Sequence, residues 1–141
     1  MRKIKATIEI GTDGEYGVYC VEEPFTGMGE TIEKAKNDMY EQIKMYKDYA
    51  IEKGMKYPSF LDEEYEFEYS FDYISLLEYY VANGYLTLAG FSKLSGVNQK
   101  QLWAYLHGTK PRKEQVKKIE NGFLRLNNSL NKSLNSASAV V

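Results

Sequence analysis

Between residues 88 and 108 the chain reads Leu-Ala-Gly-Phe-Ser-Lys-Leu-Ser-Gly-Val-Asn-Gln-Lys-Gln-Leu-Trp-Ala-Tyr-Leu-His-Gly. Two short helical patterns meet there at a Gly-Val-Asn turn, and few segments constrain a fold as tightly. Gly96 can take the left-handed backbone that ends a helix at little cost. Asn98 can start the next helix by accepting a hydrogen bond from a free backbone N–H. Phe91, Leu94, Val97, Leu102, Tyr105 and Leu106 fall on the inner sides of the two helices. Gln99, Lys100, Trp103, Ala104 and His107 recur at i, i+1, i+4, i+5 and i+8, so they share the opposite face. Gly108 ends the second helix, and Lys110, Pro111, Arg112 and Lys113 follow as a basic turn. The pattern is that of a helix-turn-helix shaped to lie in a DNA groove.

On that reading Asn98, Gln99 and Lys100 open the DNA-facing side. A Gln amide pairs bidentately with adenine, and Lys donates to guanine or to a phosphate. Lys93, Lys110, Arg112 and Lys113 hold phosphates, which contributes affinity and salt dependence without sequence information. A helical hairpin with a solvated basic face is the competing reading. Trp103 has three: a contact to a base methyl or sugar, a dimer contact, or packing against a neighbouring helix. His107, the only histidine, reads as a phosphate or water contact at the helix end.

Upstream, Ile4, Ala6, Ile8 and Ile10 alternate with Lys3, Lys5, Thr7 and Glu9, the period of a half-buried strand. Gly11-Thr12-Asp13-Gly14 supplies a hairpin turn, Glu15 to Val21 returns as a second strand, and a short third strand is expected around Phe25–Met28. Thr31 offers a cap to a helix whose apolar face is Ile32, Ala35, Met39, Ile43, Tyr46 and Ala50, closed by Gly54. After a loop around Pro58, Tyr65, Phe67, Tyr69 and Phe71 alternate with Glu64, Glu66, Glu68 and Ser70, a strand with one aromatic and one acidic face. Asp72 can then cap a helix carrying Ile74, Leu77 and Val81, which Gly84 ends. A last helix from Glu114 to about Leu130 places Val116, Ile119, Phe123, Leu126 and Leu130 on one stripe, suited equally to a dimer surface or to internal packing. The chain is therefore expected to be α+β in two modules, residues 1–71 and 72–128. Residues 129–141, rich in Ser, Asn and Ala, are expected to be disordered.

Charge divides the chain at nearly the same place. Residues 1–86 hold nine Lys/Arg against eighteen Asp/Glu, a net −9. Residues 87–141 hold nine against two, a net +7, although the whole chain is only −2. A basic half attracts polyanions and an acidic half repels them, so two different partners are expected. No apolar run approaches the roughly 20 residues of a membrane helix, and the first residues lack the apolar stretch of a secretory signal. Cys20 is the only cysteine, which excludes an internal disulfide and favours a cytoplasmic address. Lone His107 and lone Cys20 do not make a zinc site, and no cofactor is expected.

Asp13, Glu15, Glu22 and Glu23 crowd the first hairpin; Asp62, Glu63, Glu64, Glu66 and Glu68 crowd the fourth strand. They read as a solvated or protein-binding acidic surface, because catalytic carboxylates should converge in a pocket. A nuclease using Mg²⁺ and Asp13 is the enzymatic rival. The thirteen tyrosines also favour an interface.

Asp13-Gly14-Glu15-Tyr16, followed by Gly27-Met28-Gly29-Glu30-Thr31-Ile32-Glu33-Lys34-Ala35, is similar to the hairpin and helix entry of HicB-family antitoxins, with Lys34 where an acidic residue is more usual. Residues 72–128 resemble the lambda-repressor-like (Xre-type) helix-turn-helix. Ser92 stands where that family often has Ala, and Leu88 where a phosphate-binding Gln often begins the second helix. Gln99 matches its first base-reading position.

The resemblance implies a truncated ribonuclease-H-like unit, three to four strands plus one long helix, without catalytic carboxylates, followed by an all-α helix-turn-helix domain. It implies that the first unit binds HicA, a small basic mRNA-cleaving toxin. Asp13, Glu15, Glu22, Glu23, Glu64, Glu66 and Glu68 are the candidate toxin contacts. The second unit is implied to dimerise and repress its own operon through operator DNA. An orphan Xre-type regulator with a sensing or dimerising first domain is the alternative.

Overall fold

The alternation at the start of the chain produces strand β1, Arg2–Ile10, with Ala6, Ile8 and Ile10 buried and Lys3, Lys5 and Glu9 exposed. The computed structural model describes residues 1–139 and divides the chain after Asp72. In the first unit, β1 is followed by β2 (Tyr16–Cys20), β3 (Thr26–Gly29), helix α1 (Ile32–Lys53), a 3-10 turn (Ser59–Asp62) and β4 (Tyr65–Phe71). The sheet order is β3-β2-β1-β4. β1 pairs antiparallel with β2 and parallel with β4, Ile4 lying opposite Phe67. The turn between β1 and β2 closes through Gly11 N to Glu15 O (2.8 Å), and Asp13 Oδ1 accepts from Glu15 N (2.9 Å), so β2 begins at Tyr16.

Helix α1 starts where Thr31 accepts from Lys34 N and ends at Gly54, whose φ of 66° is left-handed. It buries Ala35, Met39, Ile43 and Ala50. Tyr46, 38% exposed, packs edge-on against Phe25 at the margin. Ala6, Ile8, Val18, Cys20, Phe25, Phe60 and Phe67 complete the core. The helix can lie close because β3 carries glycines: a Cβ on Gly27 would stand 2.3 Å from Ala35 O, and one on Gly29 2.7 Å from Ala35 N. Asp38 on α1 also accepts from Met28 N (2.9 Å), which satisfies a donor on edge strand β3 and discourages further strand pairing. Lys47 ties the 3-10 turn to α1 by pairing with Asp62 (3.0 Å) and donating to Leu61 O (3.1 Å).

The second unit is helical: α2 (Tyr73–Ala82), α3 (Leu88–Ser95), α4 (Gln99–Leu106) and α5 (Lys113–Ala139). Leu77, Phe91, Val97, Leu102 and Ile119 form its buried centre, with Phe123, Leu94, Tyr105 and Leu106 against it. Close approach recurs at Gly122, where a Cβ would meet Phe91 Cζ at 2.9 Å. The tail departs from expectation. Residues 129–139, expected to be disordered, continue α5 as helix, and Val140 and Val141 lie outside the described residues. No Gly or Pro interrupts the segment after Gly122, and Leu126, Leu130 and Leu134 keep a helical spacing through it. Among the described residues no helix is long and apolar enough to cross a membrane.

Candidate nucleic-acid interface

The turn between α3 and α4 is fixed by side chains that consume its polar groups. Gly96, at φ 75°, sends its N–H to Ser92 O, and Ser92 Oγ donates to Val97 O at 2.6 Å. Ser95, buried, donates to Phe91 O (2.8 Å) and accepts from Val97 N (3.2 Å). From α5, Arg125 Nη1 donates to Leu94 O (3.0 Å), supplying a cation and a donor at the C-terminus of α3. Asn98 Oδ1 accepts from Lys100 N (2.8 Å), and Asn98 O accepts from Leu102 N (3.0 Å). With Val97 at 1% exposure between them, the two helices are held at one angle.

Helix α4 is eight residues long, and an α-helix with its side chains is about 10–12 Å across, a diameter that the DNA major groove admits. Leu102 anchors it in the core, while Gln99, Lys100, Trp103 and His107 are exposed and Ala104 is half-buried. Trp103 does not tuck against a neighbouring helix. It is 55% exposed and stacks on the His107 ring at 3.7 Å between centroids, while His107 Nδ1 lies 2.7 Å from Trp103 O. That bond leaves Nε2 without a role in the helix. Asn98, Gln99, Lys100 and Trp103 line a trough of about 630 Å³ together with Leu88 and Ser92. On the other flank Lys110 and Arg112 line a second depression, about 470 Å³, with Gln101, Ala104, Tyr105, Thr109 and Gln115. Lys93 and Lys113 are exposed but border neither depression. Among the described residues, Lys93, Lys100, Lys110, Arg112 and Lys113 form no ion pair. Their charge is available to an external anion.

Sequence reasoning overlooked Ser92, Gln101 and Thr109. Gln101 shows the exposed polar side chain next to buried Leu102 that could have flagged it. Ser92 and Thr109 carried no such signal, because helix packing and the course of the chain after Gly108 place them.

The seven acidic candidates of the first unit fall in three places. Asp13 and half-buried Glu15 border a depression of about 470 Å³ on the sheet, shared with Glu9, Gly17, Tyr19 and Met28. Glu22 and Glu23 lie beside Arg2, Lys3 and Lys5 around a smaller one of about 190 Å³. Glu64, Glu66 and Glu68 are all exposed, but in the parallel register Glu66 stands opposite Lys3 and Glu68 opposite Lys5. The β4 face is therefore charge-alternating with its neighbour, and uncompensated acid is concentrated at the hairpin end, where Glu9 joins the residues expected from sequence. Among the described residues no three His, Cys, Asp or Glu side chains converge as a metal site. Cys20 is buried, and burial together with the Glu23 charge pushes its thiol up to about 11, so it is no nucleophile at neutral pH.

Comparison with protein-family models, curated proteins and solved structures yields no match for this chain.

Proposed function

We propose that the chain is a non-catalytic antitoxin and autorepressor of the HicB type. Its first unit would hold a small basic ribonuclease toxin, and its second unit would bind operator DNA. The α3–α4 corner carries the DNA half of the reading: a side-chain-locked turn presents Gln99, Lys100 and Trp103 on one exposed helix face, with cations beside it that form no ion pair among the described residues. In this reading Gln99 and Lys100 reach base edges, and Lys93, Lys110, Arg112 and Lys113 hold phosphates. The charge of the two units supports the division of labour. Residues 1–72 hold nine Lys/Arg and seventeen Asp/Glu, whereas residues 73–141 hold nine and three. An acidic module suits a basic RNA-cutting partner and does not compete for DNA.

Two experiments test the halves separately. Gln99→Ala should narrow the gap between operator and random duplex by about 1–3 kcal/mol, while Lys110→Ala should weaken both equally and lower the salt slope by about one. Equal loss on both duplexes for both variants removes the base-reading assignment. For the other half, the chain should co-purify with the product of an adjacent small basic gene and suppress its RNA cleavage. If no such protein binds, the antitoxin reading falls.

A further inference from the structure

The two edges of the β3-β2-β1-β4 sheet are finished differently. On β3, Asp38 takes up the N–H of Met28. On β4, the bonds to β1 begin with Arg2 N donating to Glu64 O (3.1 Å) and end with Asp72 N donating to Ile8 O (2.8 Å). Main-chain groups point to alternate sides along a strand, so the even-numbered residues of β4 serve that ladder. The N–H and C=O of Tyr65, Phe67 and Tyr69 therefore point to the outer edge. Among the described residues none bonds to these groups. No Lys, Pro or bulge blunts the strand.

We infer that the outer edge of β4 takes up an extended segment of a different, basic protein as a further strand, with Lys or Arg at every second position. Three observations select that occupant. The free main-chain groups repeat at the spacing of a strand, which an extended backbone matches. On the solvent face Glu64, Glu66 and Glu68 are exposed and form no ion pair among the described residues. Lys3 and Lys5 stand opposite Glu66 and Glu68 on the β1 side only, so cations on the outer side continue the alternation of charge. On the other face Tyr40 of α1, 43% exposed, meets Phe67 edge-on at 5.3 Å and offers a ring to apolar residues at the intervening positions. The same glutamates exclude a second copy of β4, because pairing two such edges sets Glu against Glu, and they repel nucleic acid. The inference deepens the antitoxin reading by naming how the first unit holds its partner, and rests on that reading only for which protein supplies the strand.

Amide hydrogen exchange of the full chain by NMR tests it, the probe being a blocked peptide as long as β4, seven residues, of alternating Lys and Val. In the free chain the Tyr65, Phe67 and Tyr69 amides should exchange fast, and those of Glu66 and Glu68, bonded to β1, slowly. At about 1 mM peptide the first three should slow by about tenfold or more. Glu66→Gln/Glu68→Gln should weaken the peptide about 2- to 30-fold, the worth of two cross-strand charge pairs. A peptide with Glu in place of Lys should give no protection, and N-methylation of either the Lys or the Val residues should abolish it. Amides already slow in the free chain, no slowing with peptide, or equal slowing by the Glu peptide overturns the inference. So does protection that grows with protein concentration alone, which identifies a second copy. If the peptide protects the edge but no adjacent small basic protein binds the chain, the antitoxin reading falls and the docking edge stands. If such a protein binds and leaves these three amides unprotected, the antitoxin reading stands and the inference falls.

Discussion

Replacing Gly27 with Ala puts one methyl group where α1 lies against β3. That methyl would stand 2.3 Å from Ala35 O, 2.4 Å from Met39 N and 2.8 Å from Met39 Cβ, against the 3.4 Å at which ordinary contact begins. Two of these are backbone atoms of α1, so no rotamer change relieves the overlap, and the helix must retreat by about 1 Å. A gap of 0.5–1 Å forfeits roughly a quarter to a half of each dispersion contact across it. Met39 and Ala35, both fully buried, face that gap. Full truncation of a buried Met costs about 2–5 kcal/mol, and overpacking adds about 1–3 kcal/mol. Lower unfolded-state entropy returns only about 0.4–1 kcal/mol. The net loss should be about 2–4 kcal/mol, a large share of the roughly 4–11 kcal/mol expected for a unit of this size. Urea unfolding by far-ultraviolet circular dichroism measures it. Fluorescence of Trp103, the only tryptophan and a residue of the second unit, reports the other transition and should not move. Gly17→Ala is the control, since its methyl would meet only the flexible Glu9 side chain at 3.4 Å. A Gly27→Ala loss within about 0.5 kcal/mol, the scale of an ordinary surface substitution, would refute the close-approach reasoning.

Three further outcomes are expected. Asn98→Ala removes the cap on α4 and should destabilise the second unit by about 1 kcal/mol, lowering its Tm by about 4–8 °C on the Trp103 signal; an unchanged Tm dismisses the cap. The Cys20 thiol, raised from 9.0 to about 11, should resist a thiol reagent at pH 8 in the folded protein and react on unfolding. Its stabilising contribution is complete below the unfolded value near 9 and is lost as pH rises through about 11, so Cys20→Ala should be less sensitive to base in that window. The Lys47 ammonium and the Tyr57 hydroxyl hold the Asp62 carboxyl below its ordinary range. That contribution is present above the unfolded carboxylate value and is lost as pH falls through the lower folded one. Lys47→Met should move the Asp62 titration upward by NMR, and an unmoved curve denies the pairing.

What sequence revealed, and what it did not, follows from the range of the interactions involved. The caps at Thr31 and Asn98 and the left-handed glycines at 54 and 96 are local chemistry, so short windows expose them. The alternation in β1 and β4 is equally local, but the placing of Glu66 and Glu68 opposite Lys3 and Lys5 is not, because it depends on a parallel register between distant strands. That is why an acidic strand read in isolation overstates the acidity of its surface. Gly27 and Gly29 stood out in sequence as part of a family-like motif, whereas their physical role is to admit the α1 backbone. The extent of α5 escaped for another reason: Ser, Asn and Ala describe a weak helix former and a disordered tail equally well.

The parallel pairing of β1 with β4 also governs how the first unit can assemble. β1, β2, β3 and α1 are contiguous from Arg2 to Lys53 and can condense as soon as that stretch is available. The Ile4–Phe67 pairing must instead close a long loop, whose entropy is lost before any contact rewards it, so β4 docks late. Until it does, the unpaired backbone edge of β1 is an open template for another strand. During synthesis, β4 acts as the latch that ends a period of aggregation risk, and a chain interrupted before Tyr65 is an open-edged species rather than a smaller version of this unit.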